Sequence, residues 1–163
     1  MIGKIFGFIK KYSVWIFIIY MLVLILVLIF KFPSPIFGYL IEQFKSGKER
    51  VYIEPPHLVP FEVITYYVKS AHSVNDWFFK NLACNIIMFM PFGFLVPLFV
   101  KTRKIWQVFL FGMMLSILIE VVQHLLKIGI ADIDDVILNS TGTLVGFGIY
   151  KLIYCVALKN SLE

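Results

Sequence analysis

Charge is scarce in this chain, and the scarcity decides its class. Asp, Glu, Lys and Arg supply 15% of the 163 residues while apolar residues supply 60%; in a soluble domain charged residues alone are about a quarter. Mean hydropathy is +0.89. A chain so composed cannot cover a globule with a solvated surface, so an integral membrane protein is expected. Cysteine is nearly absent as well. Cys84 and Cys155 are too few for a disulfide framework, and the span assignment below puts them near opposite faces of the membrane, out of bridging range; both read as packing residues. There is no CxxC, HExxH or paired His/Cys spacing to support a zinc site, and no GxSxG nucleophile turn. No internal repeat or low-complexity tract is present.

Long apolar runs are what the chain does have. VWIFIIYMLVLILVLIF, Val14 to Phe30, is uninterrupted, and at 1.5 Å per residue it nearly crosses a hydrocarbon core. With Leu82–Val100, Ile105–Leu126 and Val136 to about Ala157 it gives four spans. The expected fold is an all-α bundle of four transmembrane helices, one membrane domain over residues 1–163, with a helical, interfacial loop at 31–81. Lys4, Lys10 and Lys11 ahead of the first run would suit a signal peptide. However, the run ends in KFPSP without a small-x-small cleavage site and is longer than a signal core, so an uncleaved anchor is expected.

The basic residues set the orientation. Lys4, Lys10, Lys11, Lys101, Arg103, Lys104, Lys151 and Lys159 fall before span 1, between spans 2 and 3, and from span 4 onward, opposed there by Glu163 alone. By the positive-inside rule both termini are expected in the cytoplasm, the short KTRK turn being the firmest marker. Segments 31–81 and 127–135 then face outward, carrying most of the acidic residues. The net charge of +5 is thus a topology signal, and no nucleic-acid partner is expected. Within the outer segment, IFGYLIEQFKSGKER reads as a short amphipathic helix. PFEVITYYVKS has helical spacing at Phe61, Ile64, Tyr67 and Val68, opened by Pro60. Both pieces suit the headgroup layer.

Polar residues inside the spans gather at one depth. Asn81 and Asn85 share a face near the outer end of span 2, where Pro91 and Gly93 should kink or locally unwind the helix. Span 3 places Glu120, Gln123 and Lys127 on one face, with Ser116 and His124 a turn from Glu120. Glu120 lies roughly 9 Å below the outer end of its span by helical rise, where an unpaired carboxylate costs on the order of 2–3 kcal/mol. It should therefore face the interior with a partner, or be protonated. On span 4, Asp135, Asn139, Gly142 and Gly146 form one stripe, and GTLVG offers the small-residue spacing that lets a neighbouring helix approach. Asp132 or Asp134 can cap that span at its positive dipole end. Asp134 is out of the stripe, a solvated or capping residue. Asn85, Gln123 and Asn139 read equally as interhelical hydrogen-bond glue or as a pocket lining. His57, His72 and His124 read as ordinary interfacial or packed histidines.

The segments HLVPFEVI, NIIMFMPFGFLVP, IEVVQ and GIADIDDVILNSTGTLVG, in this order and spacing, resemble the VanZ-like family of small bacterial membrane proteins, named for teicoplanin resistance. The resemblance covers about residues 50–150. It puts the family's recurrent polar positions on Asn85, Pro91, Gly93, Glu120, Gln123, Asp132, Asp135, Asn139 and Gly142. His57 stands where the family often has Asn, and an Arg usual near Gly129 is missing; Lys127 or Arg50 could supply a cation. The resemblance implies a protein of the bacterial cytoplasmic membrane that lowers susceptibility to teicoplanin-like, lipid-bearing glycopeptides. It names a phenotype rather than a reaction.

Three functions compete. In the first, Asn85, Glu120, Gln123, Asp132, Asp135 and Asn139 line an outer-leaflet pocket that binds or alters a lipid-linked envelope component, a cell-wall precursor or the glycopeptide itself. In the second, the protein is an intramembrane hydrolase or transferase acting on such a precursor. Glu120 would be its general base, and Asp132 and Asp135 would hold a divalent cation against phosphate. In the third, the polar row serves helix packing alone. Four spans without an inverted repeat argue against a monomeric secondary transporter.

Overall fold

The computed structural model describes residues 2–30, 55–69, 76–102, 104–126 and 130–159. The helix expected in IFGYLIEQFKSGKER, the cations Arg50 and Lys127, and His72 lie outside the described residues. The described elements are α1 (Ile2–Lys11), α2 (Ser13–Phe30), α3 (Glu62–Lys69), α4 (Asp76–Val100), α5 (Ile105–Leu125) and α6 (Ile133–Lys159). Among the described residues there is no strand, only a lone parallel bridge between His57 and Asp132.

Among the described residues three stretches are long and apolar enough to cross a membrane: Leu82–Val100 within α4, α5, and α6. A fourth crossing would come from the pair α1 and α2, bent by 75° about their break, of which α2 alone is an 18-residue apolar helix. Among the described residues the fold is all-helical, as a helical membrane protein requires. The helices do not stop at the expected spans: α4 begins at Asp76, ahead of the expected 82–100, and α6 runs past 136–157 at both ends, while α5 covers Ile105–Leu125 against the expected 105–126. What the sequence reading passed over is α1. The residues ahead of the first apolar run form a helix of their own, turned sharply away from α2.

Packing follows from small residues. A Cβ added at Gly142 would lie 2.1 Å from the Ile86 carbonyl oxygen, and one at Gly146 would lie 1.9 Å from that of Met90. In return Gly93 of α4 meets the Thr143 carbonyl, 1.9 Å from its hypothetical Cβ. Backbone therefore lies against backbone along α4 and α6. In lipid, where apolar burial offers little drive, such close contact is what holds helices together. Gly112 lets α5 settle onto the Thr143 side chain, while α2 packs on α4 and α1 on α6.

Pro91 and Pro97 both lie inside α4, which continues unbroken to Val100. Of the kink or local unwinding expected at Pro91 and Gly93, the unwinding does not occur. Gly93 instead makes room for α6. The Tyr20 hydroxyl of α2 donates to the Met88 carbonyl at 2.8 Å, so a neighbouring helix supplies a donor in the turn where proline weakens the ladder. Lys101 ends α4 in the left-handed region at φ 56°. The buried Thr102 then fixes the turn, its hydroxyl accepting from the Lys104 amide at 3.3 Å and bonding to the Gln107 side chain.

Candidate functional site

At the end of the bundle where α6 begins, side-chain oxygens are paired mainly with backbone N–H groups. Asp132 is the N-cap of α6: its Oδ1 accepts from the Asp134 amide at 2.8 Å, meeting one of the donors that every helix start leaves orphaned. Glu120 reaches across from α5, and its Oε2 accepts from the Asp132 amide at 3.1 Å. The carboxylate is 6% exposed and joins one helix end to the start of the next. Glu120 thus faces the interior with a partner, as its depth required.

Asp134 departs most from expectation. It is neither solvated nor the cap of its own helix. At 2% exposure its carboxylate accepts from the amides of Phe61 at 2.5 Å and Ile64 at 3.1 Å, capping α3 from a distant part of the chain. The physical reason is local. Val59, Pro60 and Phe61 precede α3, so no Ser, Thr, Asp or Asn is present to cap it. Phe61 holds φ 63°, costly for an aromatic residue, and its amide is aimed at Asp134. Backbone bonds from His57 N to Ala131 O at 2.9 Å and from Ile133 N to His57 O at 3.0 Å fasten the same segment.

The expected stripe on α6 divides between two neighbours. Asp135 accepts from the Asn85 side-chain amide of α4. Asn139, a turn further on, donates to the Ser116 hydroxyl of α5 at 2.8 Å, and its carbonyl accepts from the Thr143 hydroxyl at 3.0 Å. Gly142 and Gly146 complete the row as contact points for α4. On α5, Val108, Gly112, Ser116, Glu120 and Gln123 are the buried residues, a single face. Gln123 is thus inward-facing beside Glu120. His124 is half-buried with its Nδ1 lacking a partner, and Ser140 is buried with its hydroxyl likewise unpaired. Sequence reasoning passed over Thr143 and Gly112, whose roles come from what faces them.

Asp132 titrates above the ordinary carboxylate range, chiefly because burial disfavours its charge, with Asp134 and Glu62 adding repulsion. The Asp134 amide and the nearby His57 oppose that shift. The two carboxylates suggested as cation ligands, Asp132 and Asp135, are taken up by different groups, a helix-start amide and Asn85. Among the described residues no three His, Cys, Asp or Glu side chains are placed to hold a metal ion.

The VanZ/LLP1 family model matches residues 17–154. The chain belongs to the VanZ/LLP1 family. The match takes in α2 as well as the polar end, so the family region begins well before the segments that carried the resemblance. Protein VanZ of Enterococcus faecium is 36% identical over 74 residues, which cover 45% of this chain and 46% of that protein. The chain therefore spans about half the length of this VanZ relative. No solved structure matches the chain.

Proposed function

We propose that this VanZ/LLP1 protein crosses the bacterial cytoplasmic membrane four times with both termini inside. The polar end of its bundle then faces the outer leaflet. There a pocket framed by Asn85, Glu120, Gln123, Asp132, Asp135 and Asn139 binds or alters a lipid-linked envelope component, lowering susceptibility to teicoplanin-like glycopeptides. The observation that carries this reading is the convergence of Glu120, Asp132, Asp134 and Asp135 with Asn85 and Asn139 at one end of otherwise apolar helices. Ionisable residues are expensive at membrane depth and are retained mostly where they serve a ligand, an ion path or a partner. The segregation of Lys10, Lys11, Lys101, Lys104, Lys151 and Lys159 to the opposite end supports the orientation. Family membership and the Enterococcus faecium relative support the phenotype.

One observation favours a second reading. Asp134 and Glu120 both accept from backbone amides, as carboxylates with a purely structural task would. Glu120→Gln and Asp135→Asn keep shape and remove charge, so they separate the two. Expressed in a susceptible host at equal membrane abundance, the charged-pocket reading expects both variants to lose most teicoplanin protection. Full protection from both would establish the packing reading instead. Comparing envelope lipids by mass spectrometry with and without the protein tests the hydrolase or transferase reading, which requires a changed lipid profile.

A further inference from the structure

We infer that α1 is an anionic-lipid-binding helix lying in the plane of the membrane at the end of the bundle opposite the polar cluster. Three observations carry the inference. The first is depth. Phe6 of α1 packs its ring against Tyr150 and Tyr154, at 6.2 and 6.0 Å between centroids. Those tyrosines lie about 26 and 32 Å along α6 from Ile133 by helical rise, close to one hydrocarbon thickness. α1 is therefore level with a membrane interface. The 75° bend to α2 lays it nearly flat when α2 runs across the bilayer.

The second is how α1 uses its apolar face. Phe6 is buried and Ile9 half-buried against the aromatic core, whereas Ile5 and Phe8 remain 53% and 62% exposed. The described residues cover one flank of the apolar arc and leave the other open. Lys10 and Lys11 stand at the end of the helix where it turns into α2. An apolar flank beside lysines is the pattern of a helix seated between acyl chains and headgroups.

The third is the company at this level. Trp15, 68% exposed, and Trp106, 54% exposed, begin α2 and α5, at the depth where tryptophan gathers in membrane proteins. Lys101 and Lys104 occupy the adjoining turn, and Lys151 lies over the Phe147 ring at 5.3 Å. With Lys10 and Lys11 they gather positive charge at this end of the bundle, and the complementary occupant is the headgroup layer of an anionic phospholipid. The inference holds whichever way the chain inserts, since it concerns only the leaflet at the basic end.

The test uses the full chain in vesicles, with Cys84→Ser and Cys155→Ser as background and a fluorophore at Phe8→Cys or Lys11→Cys. Phe8 is exposed and its ring lies beside Tyr12 at 4.7 Å between centroids, so the label gives up a contact within this segment and leaves the Phe6 contacts with α6 in place. Quenching by nitroxide-bearing lipids should be several-fold stronger at position 8 than at position 11, and quenching by aqueous iodide should show the reverse. Replacing part of the phosphatidylcholine with phosphatidylglycerol should deepen position 8, and Lys10→Gln with Lys11→Gln should abolish that gain. Equal iodide access at both positions overturns the in-plane placement. Shielding of position 8 from both quenchers overturns it as well, because protein rather than lipid would then cover that flank. Identical quenching in neutral and anionic vesicles, with depth otherwise as expected, overturns the anionic-lipid part.

Discussion

At the polar end of the bundle, carboxylates and amides reach across to backbone; at the basic end, rings meet rings. Phe6, Phe92, Phe147 and Tyr150 belong to one apolar cluster with Leu95, Val96, Leu98 and Val108, whereas Glu120, Asp132 and Asp134 act through directed bonds to amides. Ring packing is tolerant of small shifts and each contact is individually weak. A capped helix start is not tolerant, because losing the acceptor leaves specific donors unsatisfied. The polar end is therefore the part of the molecule whose geometry is fixed residue by residue, as a recognition site needs. The basic end serves as the anchor.

Between the two ends lies the glycine contact, and breaking it should disturb both. Gly146→Ala places a methyl against the Met90 backbone, an overpacking that costs about 1–3 kcal/mol in ordinary cores. Here the contact is a carbonyl on a neighbouring helix, so the upper part of that range is expected. Gly148, with nothing within 4 Å of its hypothetical Cβ, is the control, and Gly148→Ala should stay within about 0.5 kcal/mol of wild type. Thermal unfolding of both in detergent checks the pair. If the two variants melt alike, α4 and α6 are not held by that close approach.

The next largest effect is confined to the polar end. Asp134→Ala removes the cap of α3, a loss of about 1–2 kcal/mol, and should speed hydrogen exchange at the Phe61 and Ile64 amides. Exchange around Tyr150 should not change. Phe6→Ala is the mirror experiment. It removes ring contacts with Tyr150 and Tyr154, each ring pair being worth about 0.5–1.5 kcal/mol. Exchange in α1 should rise while the Phe61 and Ile64 amides keep their protection. If either variant loosens both ends, the two regions are one cooperative unit and the contrast between them fails.

How much of this was legible beforehand depended on whether the signal was local. Apolar runs have a length and a composition, so the apolar helices were legible, although the start of α4 was not: its first turns, from Asp76, carry polar residues and precede the apolar run from Leu82. The stripe from Asn139 to Gly146 was legible because helical periodicity puts those residues on one face, and Glu120 because charge at that depth demands a partner. Asp134 was misread because its partners are backbone amides more than sixty residues away, and a backbone amide leaves no mark in the sequence. The missing clue was an absence: α3 starts after Val59, Pro60 and Phe61 with nothing of its own to cap it. Helix α1 was overlooked because Lys4, Lys10 and Lys11 drew attention to charge, while the apolar positions between them, Ile5, Phe6, Phe8 and Ile9, carried the amphipathic pattern.

The smallest expected effect tests whether the polar end is as dry as its bonding suggests. Burial raises the Asp132 carboxyl above its ordinary value of 3.8, so between that value and the raised one the folded protein holds a proton that the unfolded chain has released. By linkage, stability from this group is fully present below the ordinary value and is lost as pH rises through the folded one. Most paired carboxylates act in the opposite sense, so the slope must be isolated by difference. Asp132→Asn keeps a good N-cap acceptor and cannot ionise. Unfolding midpoints of wild type and Asp132→Asn should therefore lie closest together in acid. They should separate as pH rises toward neutrality, the wild type becoming the less stable of the two. A gap that does not change with pH would mean that Asp132 is as well solvated in the folded protein as in the unfolded chain. The helix start at Ile133 would then be a wet surface rather than the floor of a pocket.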